Sequence, residues 1–361
     1  MGEKGYKIAE NNIYQYLKWR GDLSFEQDKF NEVDSFIFTQ LIYYNYQDIV
    51  GSEQVLLKDA LKKYYEIHSS RKFKLGLIIP NHIAELGKTI IKCKRYENVY
   101  ISDFVDIYDR VRKEQFCAIT YHLDEFHKVI SFKGTDDTLV GWEEDLNMII
   151  SFPIAAQISA SEYVEKIYNK YPAAIYEFNG HSKGGNLAMY SGIYASNVLK
   201  NKIYRIYNFD GPGFEIDDID IGLYSMMRNK IKTVLPCNSV IGMIFNQLGT
   251  VKAVKSTFKT VFQHDGFTWE IDTNKFIKST LSKNSIEFSK DLNELVGKMD
   301  EQSRLAFCKS VEKYIDMLGI KTLSELSTLK TKPISSLKVF TKSDRAVFIE
   351  FVKILIKNKI I

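Results

Sequence analysis

The sequence predicts an α/β chain: a mostly parallel sheet flanked by helices, with helical appendages before and after it. Three observations carry this. Short apolar runs recur through the middle of the 361 residues, bounded by turn residues as buried strands are. One of them leads through a glycine-rich turn, Gly180-His181-Ser182-Lys183-Gly184, into a helix-like run. Both ends of the chain keep apolar residues at helical spacing instead.

Residues 1–110 read mainly as helices packed on the core. Val33, Phe36, Ile37, Leu41 and Tyr44 recur at helical spacing, with Asp34 and Gln40 on other faces. Residues 111–275 read as the α/β core, with strands near 115–121, 128–133, 173–179, 202–209 and 231–235. Between the second and third, Tyr163, Val164, Ile167 and Tyr168 mark an amphipathic helix opened by Ser159 or Ser161. Residues 276–361 read as helical again. There Cys308, Val311, Ile315 and Leu318 form a stripe that Gly319 ends, and Ser343 caps a last helix containing Phe348, Phe351 and Leu355. The apolar segment Phe36–Tyr46 suits a lid over a site or, more simply, an amphipathic helix packed on the core.

The glycine-rich turn carries chemistry. A strand that reverses sharply into a helix holds its central serine in a strained conformation with the hydroxyl exposed, and the flanking residues must be tiny. Gly180 and Gly184 meet that need, and Gly185 gives further relief. The following helix N-terminus favours negative charge beside the serine. A bare Gly-x-Ser-x-Gly arises often by chance; the strand before it and the helix after it set this one apart. A serine so placed takes its general base from further down the chain. Of the six histidines, only His264 follows Ser182, so it is the single candidate base. An oxyanion hole needs the N–H after the serine, that of Lys183, and one from an earlier strand's loop. Gly134-Thr135, ending the run Val129–Phe132, is the natural source of the second, through Thr135.

These motifs resemble a known family. Phe132-Lys133-Gly134-Thr135, then Trp142 and Asp145, then Gly180-His181-Ser182-Lys183-Gly184-Gly185 is similar to the class 3 lipase branch of the α/β-hydrolases. The likeness is closer still to a lipase-like α/β-hydrolase family of unknown function, largely bacterial. That family shows Tyr16-Leu17-Lys18-Trp19-Arg20-Gly21-Asp22, the Phe30–Asp34 motif, Asn208-Phe209-Asp210-Gly211-Pro212-Gly213, and His264, Asp265 and Trp269. The resemblance covers about residues 12–272 and implies an α/β-hydrolase core.

The acid departs from the lipase pattern. Lipases place an aspartate after the strand preceding the histidine; here Asn238 or Ser239 follows the run Lys232–Leu235, and Ile221–Gln263 contains no Asp or Glu. Asp210 ends the apolar run Ile203–Phe209, where a sheet would hold it at the carboxyl edge that carries the sites of open α/β sheets. Asp210 is therefore assigned as the orienter of His264, with Asn238 as the alternative.

Composition suits an enzyme with a sizeable core: 45% of residues are apolar and 13% aromatic. A net charge of +4, from 49 Lys+Arg and 45 Asp+Glu, gives no case for nucleic acid and only a weak attraction to anionic membrane surfaces. Cys93, Cys117, Cys237 and Cys308 lie far apart, as reduced core cysteines do, and no metal or organic cofactor is implied. Met1–Tyr6 has no apolar leader and Met148–Ala160 is too short to span a bilayer, so a cytoplasmic location is expected. The function expected is a serine ester hydrolase, lipase- or esterase-like, acting on a small-molecule or lipid acyl ester. The alternative from another class is a binding or scaffold protein that keeps the elbow without turnover.

Overall fold

A computed structural model describes residues 9–68, 82–135, 150–258, 261–318 and 342–358, together with Glu144 and Met148. Trp142, Asp145 and Gly319, singled out above, lie outside the described residues, as does Met1–Tyr6.

An eight-stranded sheet runs in chain order, β1 (Val55–Leu56), β2 (Tyr100–Asp109), β3 (Glu114–His122), β4 (His127–Phe132), β5 (Ile175–His181), β6 (Ile203–Phe209), β7 (Ile231–Pro236) and β8 (Thr250–Val254). The pairs from β1 to β4 are antiparallel and those from β4 to β8 parallel. Parallel neighbours need a crossover long enough to hold a helix. Before the sheet's antiparallel start come α1 (Ile13–Arg20) and α2 (Glu32–Leu41), with α3 (Leu57–Ile67) and α4 (Ile83–Ile90) between β1 and β2. The crossovers carry α5 (Ala155–Lys170), α6 (Lys183–Ile193), α7 (Asn197–Lys202) and α8 (Ile221–Met227). After β8 come a two-stranded ribbon, β9 (Ile271–Asp272) with β10 (Lys275–Phe276), and then α9 (Lys283–Gly297), α10 (Glu301–Leu318) and α11 (Lys342–Lys357).

The two faces of the sheet bury different partners, because successive strand residues point to opposite sides. Cys117, Ile119 and Tyr121 of β3 and Tyr207 and Phe209 of β6 join the N-terminal helices in one core. Phe116, Ala118 and Ile206 on the opposite face join α5 and α6 in another. Leu235, Met243 and Phe245 pack with Phe288 and Leu292 of α9 in a third.

Each of the five expected strands is present within a few residues, but the sheet begins earlier than residue 111, since β1 and β2 lie in the region read as helical. The outer half of β2 is mostly half-exposed, and a register irregularity between Ser102 and Val105 places Asp103 at φ 55°, so no clean alternation marks it. α5 opens at Ala155, ahead of Ser159 and Ser161, with Gln157 Oε1 accepting from the Ile154 N–H (2.9 Å). Ser343 lies inside α11 and does not precede it.

α2 is not a surface helix with a polar face. It is buried from Val33 to Leu41, Asp34 and Gln40 included. A buried carboxylate is tolerable only when paired. Asp34 takes Arg95 through Nη2 to Oδ2 (2.6 Å) and Nε to Oδ1 (2.8 Å), and accepts from Tyr16 Oη (2.8 Å) and Tyr96 Oη (2.7 Å). Two N-terminal motifs thus meet in one buried cluster that seats α2 beneath the sheet.

Candidate active site

Ser182 sits between β5 and α6 with φ 58° and ψ −136°, a conformation that costs a non-glycine residue about 1–3 kcal/mol. The turn is so tight that a Cβ on Gly180 would lie 2.0 Å from the Gly184 carbonyl carbon, and one on Gly184 2.1 Å from Phe132 O. Those contacts require glycine at both positions. Ser182 itself is half-buried, and its N–H donates to Phe209 O (3.0 Å), tying the elbow to the end of β6.

Asp210 follows β6 at φ 50°, fully buried, its N–H donating to Val234 O (2.9 Å). Its Oδ2 lies 2.8 Å from His264 Nδ1. Its Oδ1 accepts from Ser239 Oγ (2.5 Å) and from the Gly242 N–H (3.2 Å). A buried carboxylate on Nδ1 selects the Nδ1–H tautomer, which leaves Nε2 as the acceptor a general base needs. Asn238 turns elsewhere: its N–H donates to Gln263 Oε1 (2.9 Å) and its Nδ2 to Cys237 Sγ (3.5 Å). Ser239 reaches the site only through Asp210.

His264 ends a short 3-10 turn, Val261–His264, that is pinned on both sides. Trp269 Nε1 donates to Gln263 O (2.7 Å), and His181 Nε2 donates to His264 O (2.9 Å). The His181 and His264 rings stack with centroids 4.5 Å apart. Burial, followed by the neighbouring His264, holds the His181 pKa well below the ordinary imidazole value, so His181 is neutral. Among the described residues no hydrogen bond joins Ser182 Oγ to the His264 ring. Catalytic hydrogen bonds are often long without substrate and tighten when it binds.

The oxyanion-hole candidates come together at the same edge. A Cβ on Gly134 would lie 2.9 Å from Ser182 Cβ, so the Gly134-Thr135 turn abuts the serine, and Thr135 is buried. Lys183 is the first residue of α6, where a backbone N–H has no intrahelical acceptor. The Lys183 side chain has a separate role that sequence reasoning missed. Its buried ammonium pairs with Glu144 Oε2 (2.5 Å) and donates to Gln115 O (2.9 Å). Glu144 also accepts from the Ala156 N–H (3.0 Å) and the Gln115 N–H (3.2 Å).

Ser239, His181 and Glu144 were not recognisable as supporting residues, because each acts through a partner distant in sequence. A cavity of about 170 Å³ lined by Phe152, Asp218, Met299 and Arg304 includes none of Ser182, Asp210 and His264. Among the described residues no group of three or more His, Cys, Asp or Glu side chains is arranged to hold a metal ion. No helix among them is long and apolar enough to cross a membrane.

The model of the Mbeg1-like family matches residues 90–312. Among solved structures, the chain is similar to a lipase of Yarrowia lipolytica (12% identity, 70% of this chain and 85% of that one, TM-score 0.38). It is also similar to the Rhizomucor miehei lipase in its propeptide complex (14% identity, 61% and 67%, TM-score 0.36). A third is a triacylglycerol lipase of Penicillium expansum (14% identity, 50% and 74%, TM-score 0.33). No curated protein matches the sequence.

Proposed function

The chain belongs to the Mbeg1-like family, and we propose that it is a serine hydrolase that cleaves a carboxylic ester through an acyl-enzyme. The observation that carries this is Asp210 Oδ2 at 2.8 Å from His264 Nδ1, on the sheet edge where Ser182 is held at φ 58°. In the first step Ser182 Oγ bonds to the ester carbonyl carbon, its proton passes to His264 Nε2, and the carbonyl π pair moves onto oxygen. The N–H groups of Thr135 and Lys183 stabilise that oxyanion. The pair then returns, the bond to the alcohol oxygen breaks, and the alcohol leaves with the proton from His264. Water repeats the sequence on the acyl-enzyme and regenerates Ser182. Asp210 keeps the imidazole oriented and stabilises its cation without taking the proton.

The substrate class is a small-molecule or lipid acyl ester. A fluorophosphonate probe tests the reading, since it labels only an activated serine. Wild-type protein is expected to label and to hydrolyse p-nitrophenyl esters. Ser182→Ala should do neither, with a loss approaching ~10⁶-fold in kcat if serine and histidine act as a unit. A folded wild type that neither labels nor hydrolyses would return the protein to the binding or scaffold class, the reading that the unclosed Ser182–His264 link favours.

A further inference from the structure

The geometry points to Tyr43 as a further catalytic residue, its phenol donating a hydrogen bond to the oxyanion that forms at Ser182. This rests on the hydrolase reading above. The observation is a convergence on one point. The position a Cβ would take on Gly134 lies 2.6 Å from Tyr43 Oη, 2.7 Å from His181 O and 2.9 Å from Ser182 Cβ. Position 134 therefore has no room for a side chain, and a phenol from the N-terminal region reaches the gap between the nucleophile and the oxyanion turn. Tyr43 lies outside the 90–312 span matched by the family model.

The phenol is carried on a rigid support. Tyr43 follows α2 by two residues, in a turn closed by Ile42 N–H to Phe38 O (3.2 Å) and Tyr43 N–H to Gln40 O (3.4 Å). The helix behind it is locked by aromatic packing: Phe36 stacks on Trp269 (5.0 Å) and meets His181 edge-on (5.7 Å), and Phe38 stacks on Tyr121 (4.0 Å). A donor held in place before the reaction loses little in reorganising as charge develops, which is why such groups act on the transition state more than on bound substrate. Tyr43 is half-buried, packed against the core of the N-terminal helices. When Ser182 Oγ adds to the carbonyl carbon, the negative oxygen forms two bonds from Oγ, within the reach of Thr135 and Lys183 N–H. The phenol supplies a third donor there and transfers no proton.

The test uses the purified full chain, p-nitrophenyl butyrate and a fluorophosphonate, with active sites titrated by the label. Tyr43→Phe is expected to lower kcat on the order of 10²-fold, as for loss of one oxyanion donor. KM and melting temperature should change little, and the labelling rate should fall in step. The matching thiono ester, whose sulfur accepts hydrogen bonds poorly, separates donation from packing. The oxygen-to-sulfur rate ratio should shrink in Tyr43→Phe if the phenol donates. Wild-type kcat in Tyr43→Phe, or a lower kcat with an unchanged ratio, would overturn the assignment. Neither result touches the hydrolase reading, which falls only if the wild type itself fails to label.

Discussion

His264 is fixed by two contacts of its own and one at the preceding residue, and the three partners come from different parts of the chain. Its Nδ1 meets Asp210 at the end of β6, its carbonyl accepts from His181 in the elbow, and the preceding carbonyl accepts from the Trp269 indole. Asp210→Asn keeps the shape but offers an amide that can force the wrong tautomer, so kcat should fall by up to ~10⁴-fold with the melting temperature nearly kept. Ser239→Ala removes one donor from the far oxygen of Asp210 and should cost less than Asp210→Asn. Steady-state kinetics on both variants check the order; equal losses would mean that the serine and the aspartate act as one unit. At this scale much was legible. The strained turn at Ser182 and the contact of Asp210 with His264 were readable because an elbow has a local glycine signature, a single histidine lies downstream, and a strand end has a local apolar run. His181 as a neutral clamp and Ser239 as the support of Asp210 had no local signature, since each is defined only by the partner that folding brings to it.

Among the elements, α6 and the segment holding Glu144 are joined by the Lys183–Glu144 pair, both side chains only 1% exposed. Removing one member of a buried pair strands the other charge, whereas removing both need not. Lys183→Met should therefore destabilise the fold by about 3–5 kcal/mol while keeping the backbone N–H proposed for the oxyanion. Lys183→Met combined with Glu144→Met should recover much of that loss. Urea denaturation of the two proteins decides it: equal destabilisation would show that packing, and not the stranded charge, is what the pair supplies. Element reading from sequence succeeded where burial was one-sided or complete. β3, buried along its whole length, and β6 both stood out as apolar runs. β2, which β1 covers only at Tyr100 and Ile101, and β8 at the sheet edge did not, because both leave many positions exposed. α2 was recognised as a helix but misread as amphipathic, since Asp34 looks like a solvated residue until Arg95, 61 positions later, is placed against it.

Across the whole molecule, the two faces of one sheet bury ionisable groups whose titration opposes one another. His122 is buried and its pKa is pushed down to about 3, mainly by loss of solvent and then by Lys128. A histidine depressed on folding contributes stability that is present above the unfolded value near 6.5 and is lost as pH falls towards the folded value. Buried His181 acts in the same sense. Glu177 on β5 has the opposite sign. Burial pushes it up to about 7, against the lowering effects of Ser35 and Arg205, and its Oε1 is without a hydrogen-bond partner. The folded protein thus holds a proton on Glu177 that the unfolded chain releases near 4.5, so its contribution is complete below that pH and is lost as pH rises through about 7. Glu177→Gln isolates this contribution, because every other titrating group is common to both proteins. At pH 4 the variant and the wild type should differ little, as both side chains are neutral. By pH 8 the variant should be the more stable by about 3 kcal/mol relative to that baseline. Urea unfolding at half-unit intervals between those limits reads the difference directly. A difference that stays flat with pH would mean that Glu177 titrates alike in the folded and the unfolded chain, and that Arg205 and Ser35 offset the burial.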